Sequence, residues 1–180
     1  DDVENSLKYA NKCVEIATKS GNKNSLCYSY TALAVAYTNK IDFQQQYQYT
    51  QSAYDCSEKA CQLYYDFPGQ VSHYAYAIAR NNYAGYLLEY SSKLTPELRE
   101  KIEYNLNESL KVAKFVKEGG QQLQAGNYGV RSQLAMLDND LKKAEEYLLK
   151  AKEVLLTQKP LYYPLMINVT NELSTVYEKQ

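Results

Sequence analysis

The chain has no tryptophan, a single histidine, 7 glycines and 4 prolines in 180 residues. So few turn formers exclude a strand-and-turn architecture such as a sandwich or barrel. With one histidine, any Ser-His-Asp or Cys-His catalytic arrangement has to use His73. Neither a glycine-flanked serine elbow nor a cysteine-protease signature accompanies it, so His73 reads as a helix-surface residue. No run of 18 apolar residues occurs, which excludes a membrane-spanning helix in this sequence. The formal net charge is −1, so no global field draws nucleic acid, an anionic membrane or an acidic substrate.

What the chain does have is tyrosine, 20 of them against 3 phenylalanines. A tyrosine combines an apolar ring with a hydroxyl that needs a partner, which suits packed surfaces with one wet edge. Hydrophobic residues at 45% and charged residues at 23% are ordinary for a globular chain. The four cysteines, Cys13, Cys27, Cys56 and Cys61, are scattered through helical patterns. A chain of this size does not need a disulfide framework, so they read as free, mostly buried thiols of a reducing, cytoplasmic compartment. The sequence lacks an initiator methionine, and an upstream segment could carry a different address.

Apolar residues recur with helical spacing almost throughout, broken at Ser20-Gly21-Asn22, Ile41-Asp42, Phe67-Pro68-Gly69, Leu94-Thr95-Pro96, Gly119-Gly120, Asp138-Asn139-Asp140 and Pro160. The breaks predict eight helices near 3–20, 24–41, 43–66, 70–92, 96–118, 121–138, 140–158 and 161–179. Thr95 is placed as an N-cap, with Pro96 at the first helical position and Glu97 in the first turn. Gly21 and Gly119 suit left-handed C-terminal caps. Short connections predict antiparallel neighbours, and no linker divides the chain, so residues 1–180 read as one helical array.

A longer repeat is superimposed on the helical one. Tyr30, Leu33, Ala34 and Tyr37 share a spacing with Tyr83, Tyr86, Leu87 and Tyr90, and with Thr170, Leu173, Ser174 and Tyr177. Tyr128, Arg131, Ser132 and Ala135 keep the frame only. Intervening helices carry small or apolar residues four and then three apart, as in Ala144, Leu148 and Ala151, or Ile102, Leu106 and Ser109, or Ala53, Ser57 and Ala60, or Ser6, Ala10 and Cys13. Small residues let two helices approach, and an aromatic fills the space alongside. This pattern resembles the tetratricopeptide repeat over the whole chain. The lead tyrosines lie 53 and 45 residues apart, against about 34 in that family, so these are long-helix variants. The resemblance implies an all-α, right-handed α-solenoid of antiparallel helix pairs. In that frame the chain opens on a second helix and closes on a first, as a piece of a longer polypeptide would. The texture is similar to repeat regions fused to bacterial transcription regulators and sensor kinases.

Other constellations carry little chemistry. Cys56 and Cys61 lie five apart, without the ligands of a zinc site. Asp138-x-Asp140 opens like a calcium loop but lacks the later ligands and central glycine, and is read as a turn and an N-cap. Glu145-Glu146 and Asp1-Asp2 read as solvated or helix-start charge. Gly119-Gly120 lacks the rest of a phosphate loop. Lys111, Lys114 and Lys117 are read as a solvated strip on the fifth helix, and the tyrosines 76, 83, 86 and 90 as a core stripe. No catalytic residue, metal or cofactor is assigned.

The resemblance further implies that the first helix of each pair lines a concave face that binds protein or peptide. The candidate residues there are Tyr28, Thr31, Tyr74, Asn81, Gln133, Asn168 and Asn171, with Val35, Thr38, Ala84, Leu88, Met136 and Thr175 beside them. Amides and hydroxyls suit a peptide backbone, and the lack of cations argues against a clamp for a terminal carboxylate. The leading expectation is therefore a non-catalytic protein-interaction module. The alternative is a regulatory domain that binds a small peptide signal and changes curvature, favoured by an internal pocket between the tyrosine-rich fourth helix and the small-residue sixth (Gly126, Gly129). The last helix is expected to expose an apolar stripe of Leu173, Val176 and Tyr177 that favours self-association.

Overall fold

The structure, a computed structural model, describes residues 2–158 and 162–180. Eight α-helices account for most of them: α1 (Asp2–Ser20), α2 (Lys23–Gln44), α3 (Thr50–Asp66), α4 (His73–Glu89), α5 (Pro96–Ala113), α6 (Gly120–Leu137), α7 (Leu141–Leu156) and α8 (Tyr163–Lys179), with one 3₁₀ turn at Tyr47–Tyr49. No strand occurs among the described residues; α1 packs on α2, α2 on α3, α3 on α4, α6 on α7 and α7 on α8. No helix there is long and apolar enough to cross a membrane. The expected break at Pro160 lies outside the described residues.

Most helix ends follow from local chemistry. The Asn22 side chain accepts from Ser25 N to start α2, and Ser72 accepts from Ala75 N to start α4. Thr95 Oγ1 accepts from Leu98 N at 3.2 Å, as its sequence position predicts. The Asp138-Asn139-Asp140 turn closes α6 with Asn139 at φ 57°, while Asp140 N donates to Ala135 O and Asn139 N to Met136 O. That is a Schellman end with asparagine in the left-handed position. Asp140 Oδ1 then accepts from Lys143 N to open α7.

Three boundaries differ most from the sequence expectation, one being the start of α3, at Thr50 rather than near 43. Ile41-Asp42 does not interrupt α2, because Ile41 is buried and the helix runs three residues further, to a left-handed Gln45. Helix α5 stops at Ala113 rather than near 118. Gly119, at φ 82°, thus leads into α6 instead of closing α5. A Cβ on the next residue, Gly120, would lie 2.9 Å from the Ala113 carbonyl oxygen. The α5–α6 connection therefore requires glycine there. A consequence is that Lys114 and Lys117 lie beyond the helix, so with Lys111 they form no strip along α5.

The chain clusters into two compact units, residues 1–105 and 106–180, divided within α5. In the first unit, Ala10, Leu33, Ala34, Ala36 and Cys56 are buried together, with Leu7, Val14, Tyr30, Tyr37 and Tyr86 packed around them. The small residues read from the repeat are where helices meet: Ala53, Ser57 and Ala60 are all at most 2% exposed. Tyr76 and Tyr83 are fully buried, while Tyr86 and Tyr90 are half-buried. In the second unit, Ala144, Leu148, Ala151 and Leu155 of α7 pack with Ala125 and Ala135 of α6 and with Val169, Leu173 and Val176 of α8. This corrects the expectation for the last helix. Leu173 and Val176 are core residues, and only Tyr177 of the proposed stripe is exposed.

All four thiols are unpaired. Cys27, Cys56 and Cys61 are buried, whereas Cys13 is exposed. Because the thiolate is the reactive species and must be reached, native protein should show one rapidly reacting thiol with an aromatic disulfide reagent, and all four after denaturation. Loss of the fast phase in Cys13→Ser checks the assignment.

Candidate functional site

Of the seven nominated residues, the structure groups two in one cleft. Helix α6 contributes Ala125, Gly126, Gly129, Val130 and Gln133, and α8 contributes Leu165, Asn168, Val169 and Glu172, around about 160 Å³ of space. The spacing explains the grouping: residues four apart on α6 and three or four apart on α8 share a face. Glu172 organises the polar rim. Its Oε2 lies 3.1 Å from Ser132 Oγ, and its Oε1 accepts from Gln133 Nε2 at 3.3 Å. Asn168 is exposed, and its amide makes no hydrogen bond among the described residues. The floor is apolar and partly bare, because two of its α6 residues are glycines.

The remaining five sit elsewhere. Asn171 is exposed on α8 but does not line the cleft. In the first unit the Tyr28 and Tyr74 rings pair with centroids 6.5 Å apart and an interplanar angle of 42°. Asn81 is half-buried, and its Oδ1 is buried without a hydrogen-bond partner. Thr31 must be withdrawn as a ligand donor: it is buried, and its hydroxyl donates to Cys27 O at 3.0 Å. Thr38 is buried likewise, donating to Val35 O, and Ala84 has no exposed surface.

A second feature escaped the sequence reading. Helices α3, α4 and α5 line an open cleft of about 390 Å³ within the first unit, bordered by Glu58, Lys59, Cys61, Gln62, Arg80, Tyr83, Lys101, Tyr104 and Asn105. Arg80 is only 9% exposed. Its Nε donates to Tyr76 Oη at 3.1 Å and its Nη1 to Asn105 Oδ1 at 2.8 Å. The guanidinium also lies 5.1 Å from the Tyr76 and Tyr104 ring centroids and 5.8 Å from that of Tyr65. Glu58 takes Lys101 Nζ and Tyr83 Oη, each at 2.6 Å. Those two hydrogen bonds hold its carboxyl below the usual range, and burial with the Glu58 bond pushes the Tyr83 phenol upward. One signal was legible: Tyr76, Arg80 and Tyr83 share a helix face, so the cation belongs to the buried tyrosine stripe.

His73 is exposed at the start of α4, with Nδ1 2.8 Å from Tyr64 Oη. Among the described residues no group of three or more His, Cys, Asp and Glu side chains is placed to hold a metal ion. No model of a known protein family matches the chain, and no curated protein matches it significantly in sequence.

Proposed function

We propose that this chain is a non-catalytic protein-interaction module that seats a peptide or helix of its partner in the α6–α8 cleft. In this reading it is a tetratricopeptide-like, right-handed α-solenoid of antiparallel helix pairs through residues 1–180, serving as the sensory or scaffold part of a larger regulatory protein. The observation that carries the proposal is Gly129. A glycine inside a helix costs roughly 0.5–1 kcal/mol relative to alanine. At Gly129 no neighbour repays that cost, because an added Cβ would meet nothing within 4 Å. What the missing side chain supplies is room in the cleft.

The volume then selects the occupant. About 160 Å³ falls short of the roughly 300–1,000 Å³ of small-molecule pockets, but it admits one apolar side chain of a larger partner. Ala125, Val130, Leu165 and Val169 would contact that anchor. Asn168 offers both a donor and an acceptor to the adjoining peptide backbone, and Glu172 offers acceptors.

The test uses peptides selected against the full chain from a random displayed library. Gly129→Ala should raise stability by about 0.5–1 kcal/mol. Gly129→Leu should fill the cleft and weaken binding at least tenfold, about 1.4 kcal/mol. Asn168→Ala should weaken binding by about 0.5–1.5 kcal/mol and leave the melting temperature nearly unchanged, while Lys111→Ala changes neither. Unaltered peptide affinity in Gly129→Leu would place the partner elsewhere.

A further inference from the structure

We infer that the Arg80 cleft is a second, separate binding site, for a small ligand that carries a phosphate or carboxylate group. The starting point is a largely buried guanidinium that hydrogen-bonds no carboxylate, the nearby Glu58, whose charge it feels, being held instead by Lys101 and Tyr83. Buried ions are ordinarily paired, since removing a charge from water costs several kcal/mol. Arg80 instead has neutral company: the Tyr76 hydroxyl, the Asn105 carbonyl oxygen and three tyrosine rings. The one carboxylate lining the cleft, Glu58, is engaged by Lys101 and Tyr83. The lining holds three cations, Lys59, Arg80 and Lys101, against that single carboxylate, in a chain whose net charge is −1.

A purely structural tie between α4 and α5 accounts for two of the guanidinium's hydrogen bonds and for its stacking. It does not use Nη2, which makes no hydrogen bond among the described residues and is open to the cleft. Beside the guanidinium lies an open cleft of about 390 Å³. A planar fork with unspent N–H groups at the base of a cationic cleft is the recognition chemistry of carboxylates and phosphates. Tyr104, 51% exposed at the cleft, offers a ring face to the body of the ligand. The volume lies within the small-molecule range, unlike that of the α6–α8 cleft.

The probes are phenyl phosphate and benzoate, titrated calorimetrically into the full chain at constant ionic strength. At least one should saturate with a Kd below about 5 mM, and the tighter of the two assigns the site to phosphate or to carboxylate. Arg80→Lys removes the fork, but it also breaks two buried hydrogen bonds and endangers folding. Lys101→Gln and Tyr104→Ala change exposed side chains instead, and each should weaken binding about fivefold or more with the helical circular dichroism intact. Lys111→Gln, exposed on the same helix, should leave the affinity unchanged. The inference is overturned if neither probe saturates below that limit. It is equally overturned if Lys101→Gln and Tyr104→Ala bind the probe like the wild type.

Discussion

Between pH 9 and pH 11 the protein should lose about 5 kcal/mol of stability from two cysteines alone. Burial pushes Cys27 and Cys61 from an ordinary 9.0 up to about 12. In the folded state both thiols keep their protons through this range, whereas in the unfolded chain they ionise above pH 9. The unfolded state then binds fewer protons, so stability falls as pH rises, by about 1.4 kcal/mol per pH unit for each thiol until the folded pKa is reached. Cys56, raised to about 11, and Tyr86, raised to about 12, act in the same direction, again chiefly through burial. Lys40, whose ammonium is raised mainly by its hydrogen bond to Glu4, also loses its contribution only as pH climbs through its folded value. Set against the 5–15 kcal/mol typical of a folded domain, the thiols alone bring the protein close to unfolding at pH 11. Urea midpoints in reducing buffer at pH 8, 9, 10 and 11 measure the effect. The double variant Cys27→Ala, Cys61→Ala should flatten the slope. A wild-type midpoint unchanged to pH 11 would mean that these thiols titrate freely in the folded protein.

Leu148→Ala should cost about 3–5 kcal/mol, the upper part of the range for a buried leucine that leaves a cavity. Leu148 has no exposed surface and lies at the centre of the second unit's core, among Leu155, Leu173 and Val176. Helices α6, α7 and α8 all contribute to that core, so relaxation of one helix cannot close the hole without unpacking another. Tyr177→Ser is the contrast: its ring is 51% exposed, and the change should stay within about 0.5 kcal/mol. Equilibrium unfolding of both variants distinguishes them. A cost below about 1 kcal/mol for Leu148→Ala would mean that α8 does not pack as described.

The helix pattern was largely legible because its signals are local. Apolar spacing, the Thr95 and Asp140 caps and the small residues of α7 each report on neighbours within a turn or two. The α5 end was not legible, since it depends on the approach of Gly120 to the Ala113 carbonyl, a contact seven residues away. Thr31 failed for a related reason. Its face was assigned from the geometry of shorter repeats, and on a helix one position turns a side chain by about 100°. In α2 that rotation carries Thr31 inward, where its hydroxyl donates to Cys27 O. Arg80 was readable as part of a buried stripe, but not as an ion enclosed by Tyr65 of α3 and Tyr104 of α5, which no local pattern connects. Glu172 carries no local signal of its role, because its partners Ser132 and Gln133 lie about 40 residues away on α6, although this carboxylate anchors the rim of the cleft.

The most direct test of the interaction reading is a hydrogen-exchange footprint of the full chain with and without a peptide selected against it. Backbone amides of α6 near residues 126–133 and of α8 near residues 168–172 should exchange more slowly when the peptide is bound, and Gly129→Leu should abolish that protection. Protection confined to other helices, or a footprint that persists in Gly129→Leu, would contradict the account.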